Sequence, residues 1–391
     1  MTSKKQYKVL HVISSLDIKF GGPTSYILEL VRRQIDFGIN SYILTTHQKT
    51  KNNNLSKSLK KRVFSFKCKN LKTINYSRQL KIFLDNNIFN FDLIHIHGMY
   101  RFPTTYAAFL SRKFSIPYII RIHGVFNPIL TSKPTESFLI KKIWESVFDF
   151  PNLKGASLIQ CSSIKEKNIF KKLNLNNKIF VSYNFINKLF QNKKINSKYK
   201  KKSSVNIKYP FILFVGRINF VKGLDMLIPV FSKFSKINKK FKLLIIGPSN
   251  DDYLKNIILP LIKKFNISNK VLIKKPVDHF KLFNYYKAAN IYVQPSYSES
   301  FGISMFEAMS CNLPVVTTDQ IDLARELKKS NAAKICKCNE NSLFEALEKV
   351  SNSTKLKKKL VYNATKFIKK NLDEKILINN MQYNYRKILQ K

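Results

Sequence analysis

Apolar and polar positions along the chain fall into two alternating patterns. Short runs rich in β-branched residues read as buried strands: YKVLHVISS (7–15), SYILTT (41–46), FDLIHIHG (91–98), PYIIRIHG (117–124), SLIQCSS (157–163) and KIFVSYN (178–184). Between them lie stretches whose apolar residues recur every three or four positions. In GGPTSYILELVRRQIDFG (21–38), for example, Ile27, Leu30 and Val31 share one helical face. This alternation predicts parallel strands with helices covering both faces of the sheet.

The pattern breaks at 188–208, KLFQNKKINSKYKKKSSVNIK, which is polar and rich in lysine. It restarts with FILFVGR (211–217) and continues through KLLIIG (242–247), KVLIKKP (270–276), NIYVQPS (290–296) and PVVTT (314–318). In the helix expected from about Gly223, Leu227, Val230, Phe231 and Phe234 form a stripe. Pro229 lies within that stripe and is expected to kink the helix or delay its start. A last helix near 373–390 carries Met381, Tyr385 and Ile388 on one side. The chain is therefore expected to be α/β, with a first doubly wound domain over 1–190, a linker over 191–207 and a second doubly wound domain over 208–372.

A length of 391 residues with 44% hydrophobic and 13% aromatic content supports more than one packed core. No run approaches the roughly 18 apolar residues of a membrane span. The N-terminal apolar run is short, is interrupted by His11 and leads into GGP, so it is expected to be a first strand of a cytoplasmic protein. Five scattered cysteines read as reduced thiols, and Cys336-x-Cys338 lacks the second pair of a zinc site. The net charge of +47 comes mostly from lysines spread along the chain. Nucleic-acid motifs and a compact basic arm are absent from the sequence, so nucleic acid is not expected as a partner.

Four stretches could carry chemistry. Gly21-Gly22-Pro23 joins the first strand to its helix, where backbone N–H groups can approach a phosphate; it is not the GxGxxG of a dinucleotide site. In FVGRINFVKG (214–223), Arg217 and Lys222 flank a strand-to-helix turn and could clamp a diphosphate, or be two solvated cations. His95 and His97 face one side of a strand without an evident third ligand, so no metal site is expected, and His123-Gly124 ends another strand at its carboxyl edge. In PSYSESFGISMFEAMSCNLPVVTT (295–318), a loop leads into a helix expected over 301–310. Glu299 stands just before that helix, Glu307 about two turns into it, and Asn312 in the left-handed position after it. Two carboxylates in apolar company suit a polyhydroxylated ligand.

These stretches together resemble the retaining glycosyltransferases of family 4. The E-x(7)-E block at Glu299 and Glu307 is the specific element; the GGP loop, His123-Gly124 and FVGRINFVKG accompany it in the family's order over nearly the whole chain. The resemblance implies a GT-B fold, two Rossmann-like domains facing across a cleft, the first on the acceptor side, with the final helix (about 373–391) packing back on it. It implies that Arg217 and Lys222 hold the donor diphosphate near the Gly21-Gly22 backbone, and that Glu307 binds the ribose hydroxyls. Glu299 would contact the donor sugar, helped by backbone N–H groups around Phe301 and Gly302, and His123 would line the reacting sugar. Transfer would proceed with retention, without metal or other cofactor, the leaving phosphate helping to accept the acceptor's proton. The nucleotide-sugar (UDP- or GDP-linked) is then a substrate. The acceptor would be a glycan or lipid-linked glycan of surface polysaccharide or lipopolysaccharide synthesis.

The chain departs from the family at Asn312, where glycine is common, and in the loop DQIDLARE (319–326), where Glu326 matches the family's acid. The segment TESFLIKKIWESVFDF (135–150) places Ile140, Trp144 and Phe148 on one helical face. That face is expected to pack on its own domain, peripheral contact with an anionic membrane being the alternative. The competing function is a non-catalytic basic binder of nucleic acid or membrane; it predicts clustered charge, whereas the lysines are diffuse. An inverting GT-B transferase or an epimerase is disfavoured by the E-x(7)-E block.

Overall fold

The computed structural model describes residues 7–17, 22–48, 55–68, 72–126, 138–176, 178–191, 207–249 and 251–390. The chain divides into two compact units, Met1–Phe185 with Glu374–Lys391, and Ile186–Asp373. Most of the expected linker, 192–206, lies outside the described residues.

The first unit holds seven parallel strands: β1 (Lys8–Ser15), β2 (Asn40–His47), β3 (Val63–Lys67), β4 (Leu93–His97), β5 (Tyr118–Arg121), β6 (Leu158–Cys161) and β7 (Ile179–Val181). Their order is β3-β2-β1-β4-β5-β6-β7, so the winding reverses between β1 and β4. The second unit holds β8 (Phe211–Val215), β9 (Lys242–Ile246), β10 (Val271–Lys274), β11 (Ile291–Gln294), β12 (Val315–Thr318) and β13 (Lys334–Cys336) in the order β10-β9-β8-β11-β12-β13, reversing between β8 and β11. In open sheets of this kind ligands bind at the carboxyl ends of the strands beside such a reversal.

The central strands are buried on both faces, which is why runs such as FILF and LLII show no polar alternation. In the second unit the helix Leu224–Ile237 presses Leu227, Val230, Phe231 and Phe234, all fully buried, onto the sheet. Pro229 does not delay this helix, which begins at Leu224 and runs through it. The ring lies among buried neighbours of the same helix, and packing on the sheet offsets the one intrahelical bond a proline cannot donate.

The final helix, Glu374–Leu389, completes the core of the first unit, with Leu377, Ile378, Met381 and Tyr385 packed against Val9, Leu30, Ile119 and Phe185. The stretch expected as one helix over 135–150 is, from 138 on, a helix at Phe138–Trp144, a π-turn at Glu145–Asp149 and a helix at Phe150–Gly155. Contrary to the expected packing, Ile140 and Phe148 are 68% and 43% exposed. The inward side is instead made by Asp149, Asn152 and Leu153. Asp149 accepts bonds from Thr105 Oγ1 (3.0 Å) and the Tyr100 N–H (3.1 Å), which turns the apolar side chains outward. All five cysteines are free thiols.

The Tyr385 hydroxyl bonds both Gln34 Nε2 (3.0 Å) and His95 Nδ1 (2.7 Å) inside the core. Tyr385→Phe removes it and leaves two buried polar groups unpaired. The variant should lose about 2 kcal/mol of unfolding free energy in a denaturant titration, with an unchanged m-value.

Candidate active site

In the second unit the loops after β8 and β11 are stitched together at the point where the winding reverses. Gly216 and Arg217 follow β8, a 3₁₀ turn spans Phe220–Lys222, and Gly223 has φ +66°. A Cβ on Gly223 would lie 2.1 Å from the carbonyl oxygen of Pro295, so only glycine lets the two loops meet. The Tyr297 N–H bonds the Val221 carbonyl (2.9 Å), and the Phe220 and Tyr297 rings stack at 5.0 Å.

This closeness carries Lys222 to Glu299, where Nζ forms an ion pair with Oε2. The two side chains are 15% and 17% exposed, so the pair is sheltered yet reachable. Gln294, the last residue of β11, donates Nε2–H to the same oxygen at 2.8 Å. The unusual loop 319–326 supports Glu299 through its backbone: Glu299 bridges to Ile321, its N–H bonds Gln320 O (3.3 Å), and its carbonyl accepts from the Asp322 N–H (2.8 Å). Glu326 is half-buried in the first turn of the helix Ala324–Lys329, and its Oε2 is shut off from solvent with no hydrogen-bond donor among the described residues.

Arg217 is exposed and has no ion-pair partner among the described residues. The helix begins at Ile303, not 301, because Gly302 takes φ +79°; Glu307 is therefore about one turn in rather than two. Glu307 is buried and accepts a bond from Tyr286 OH (3.1 Å), whose pKa is driven well above the ordinary value by burial and then by the Glu307 charge. The Phe301 ring is buried 4.7 Å from Phe306, leaving only its backbone for a ligand. Asn312 has φ +61°, the left-handed position expected.

In the first unit Gly21 lies outside the described residues, while Gly22 is exposed at the start of the helix Gly22–Asp36. His123 is half-buried two residues past β5 with φ +53°, and Gly124 follows with φ +77°. Glu166 holds this turn: Oε1 accepts the Gly124 N–H, and Oε2 accepts the Ser162 N–H and hydroxyl. The S-x-x-E spacing of Ser163 and Glu166 marks a helix start, with Ser163 Oγ accepting from Glu166 N (2.9 Å), but gives no hint that the carboxylate reaches across to Gly124.

The histidine pair of β4 has a third neighbour after all, His11 on β1, and the candidate ligand atoms of His11, His95 and His97 all lie within 4.8 Å of one another. Sequence alone placed His11 only as an interruption of an apolar run. Hydrogen bonds decide what the cluster can do. His11 Nδ1 meets His97 Nε2 (3.0 Å), and His11 Nε2 meets Gln34 Oε1 (2.7 Å), which also accepts from Ser41 Oγ (2.8 Å). The other end of the Gln34 amide meets Tyr385, which meets His95 Nδ1. With Gln34 Oε1 facing His11, the proton lies on His11 Nε2 and, through Tyr385, on His95 Nε2. Flipping the amide moves the two protons to His11 Nδ1 and His95 Nδ1. Either way one of His11 Nδ1 and His95 Nε2 carries hydrogen. The cluster is wired as a hydrogen-bond chain.

A sheltered cation–carboxylate pair thus stands at the winding reversal of a parallel sheet, the place where sheets of this kind bind their ligands. Comparison with known proteins gives the family. Residues 20–188 match the model described as Glycosyltransferase Family 4, and residues 196–367 the model described as Glycosyl transferases group 1. The chain belongs to this glycosyltransferase family. It is 29% identical to an uncharacterized glycosyltransferase of Methanocaldococcus jannaschii over 90% of each chain. It is 38% identical to D-inositol 3-phosphate glycosyltransferase 2 of Catenulispora acidiphila over 27% of this chain and 26% of that protein, so that match spans about a quarter of the relative. The sucrose-phosphate synthase of Thermosynechococcus elongatus shares the fold with a TM-score of 0.81 at 18% identity, over 98% of this chain and all of that one. Anabaena HepE in complex with UDP and glucose superimposes with a TM-score of 0.74 at 16% identity, over 97% and 100%. The protein is thus a glycosyltransferase of the GT-B type.

Burial lowers the pKa of His11 from 6.5 to about 4, and lowers those of His95, His97 and His123 well below the ordinary value, with neighbouring histidines or Arg121 adding to the effect. A depressed folded-state pKa means that the unfolded chain binds protons first. Stability is then complete above about pH 6.5 and falls as the pH drops towards 4. His11 alone should remove about 2 kcal/mol at pH 5. Denaturant titrations at about pH 7.5 and 5 check this; equal midpoints would contradict it.

Proposed function

We propose that the protein transfers a sugar, with retention and without metal, from a UDP- or GDP-sugar to a glycan or lipid-linked acceptor. The product would enter a surface polysaccharide or lipopolysaccharide, and the enzyme would act in the cytoplasm or against the inner face of a membrane. The observation that carries this reading is the Lys222–Glu299 pair, with exposed Arg217 on the same strand-to-helix turn as Lys222. Cations at the end of β8 suit a diphosphate, and a carboxylate at the end of β11 suits the hydroxyls of a sugar attached to it. UDP is favoured as the nucleotide by the complex of HepE.

In this reading Arg217 and Lys222 take the charge that develops on the departing diphosphate. Glu307 accepts from the ribose hydroxyls. Glu299 accepts from hydroxyls of the sugar being moved, with the backbone N–H groups of Phe301 and Gly302 alongside. His123, neutral at working pH, lines the sugar as a hydrogen-bonding group. Glu299 must exchange Lys222 for the donor, because the same ammonium serves carboxylate and phosphate.

The test is binding and turnover of UDP- and GDP-sugars by the purified protein in the presence of a chelator, with the product anomer read by NMR. Arg217→Ala should weaken UDP or GDP binding about tenfold. Glu299→Ala should abolish most transfer yet bind the free nucleotide at least as tightly as wild type, since it frees Lys222. Silence with every donor, or an inverted product, would overturn the reading.

Membrane contact is supported by the outward face of 138–149. Ile140, Ile143, Val147 and Phe148 are each more than 40% exposed, with Lys141 and Lys142 between them. Among the described residues no helix is long and apolar enough to cross a membrane. Ile143→Asp with Val147→Asp should lower sedimentation with anionic vesicles several-fold and leave transfer to a soluble acceptor unchanged.

A further inference from the structure

Both donors to Glu299 end on one oxygen. Lys222 Nζ and Gln294 Nε2 (2.8 Å) converge on Oε2, and Oε1 receives no hydrogen bond from the described residues. The amide orientation at Gln294 follows from chemistry, because a carboxylate only accepts and so must face the NH₂ end. Gln294 is itself fixed. It is 2% exposed, and its Oε1 is 3.3 Å from Tyr292 OH, which also lies 2.8 Å from Ser304 Oγ and 3.2 Å from the Val215 carbonyl. This small network ties the end of β8, the end of β11 and the first turn of the helix Ile303–Ser310. Gly302 keeps it clear: a Cβ there would lie 3.1 Å from Gln294 Nε2 and 3.5 Å from Glu299 Cγ.

We propose that Gln294 is a positioning residue for sugar transfer, holding Glu299 Oε2 so that Oε1 alone is presented to the donor sugar. This rests on the reading of Glu299 as the sugar contact. Lys222 is shared between Glu299 and any diphosphate that arrives, so an ion pair cannot by itself fix the carboxylate through the binding step. A neutral amide does not follow the phosphate. Gln294 therefore keeps the carboxylate in place when the ammonium turns away.

Two measurements test this. A double-mutant cycle of Gln294→Leu and Glu299→Ala on the unfolding equilibrium needs no ligand. Gln294→Leu should change the unfolding constant at least fivefold more in wild type than in the Glu299→Ala background; additive effects overturn the proposal. With a donor, Gln294→Leu should lower kcat tenfold or more while UDP affinity stays within twofold. Gln294→Glu should recover turnover only as acid puts a shared proton between the two carboxylates, a shifted pH profile that a merely structural residue would not produce. Wild-type kcat in Gln294→Leu, or parallel loss of kcat and UDP affinity, overturns the proposal. If wild type turns over no donor, the proposed function falls, and the unfolding cycle still decides whether Gln294 holds Glu299.

Discussion

Opposite charges held at the ends of two adjacent strands organise the second unit. Lys222 follows β8 and Glu299 follows β11, and neither strand alone would bring them together. The approach depends on a backbone contact that excludes any side chain at Gly223 and on the pairing of Tyr297 with Val221. The backbone of 320–322 then fixes Glu299 from the far side, so a loop that departs from the family's usual sequence still serves the site. An isolated ion pair this sheltered would contribute little net stability, since desolvation offsets much of the attraction. Its value lies in where it keeps two reactive charges, not in holding the fold together.

The first unit buries charge more deeply. Arg33 is fully buried and ion-paired with Glu29, whereas Arg121 is fully buried with no carboxylate among its hydrogen bonds to the described residues. The guanidinium is met by the Ser182 carbonyl, the Asn184 side chain and the face of Tyr26 at 3.8 Å. A buried cation of this kind makes a second positive charge beside it costly, and burial already disfavours charge on the rings. The result is a set of histidines that stay neutral and exchange hydrogen bonds, with Tyr385 as the link to the final helix. His123 inherits this neutrality and so can offer a hydrogen bond but not a charge.

How much of this could be read from residues alone follows from where each signal resides. The central strands announce themselves because burial on both faces demands uninterrupted apolar runs. The edge strand Val63–Lys67 is only half-buried, and Lys334–Cys336 has three residues, so neither leaves a comparable run. Arg217, Lys222, Glu299 and Glu307 stand in a recognisable order, and their positions after β8 and around the helix Ile303–Ser310 follow from local pattern. That Lys222 pairs with Glu299, that His11 joins His95 and His97, and that Glu166 holds the His123 turn are contacts across tens of residues. No periodicity encodes them. The outward turn of Ile140 and Phe148 was hidden for another reason: a helical stripe shows which residues share a face, not whether a partner covers it.

Charge ties the two scales together. The excess of +47 comes mostly from lysines spread along the chain, and salt screens exposed charge beyond about 10 Å, so it favours anions nearby but gives no address. The address is local. Arg217, Lys222 and Glu299 sum to a single positive charge, which in the proposed function draws a diphosphate although part of it is already spent on the carboxylate. In the proposed function Lys222 turns to phosphate, Glu299 is left with an unneutralised charge in a sheltered position, and hydroxyl donors become its best replacement. A nucleotide without a sugar supplies the phosphate but no such hydroxyl at that carboxylate, whereas a nucleotide-sugar supplies both. In the proposed function, discrimination for the intact donor follows from the exchange of partners at one ion pair.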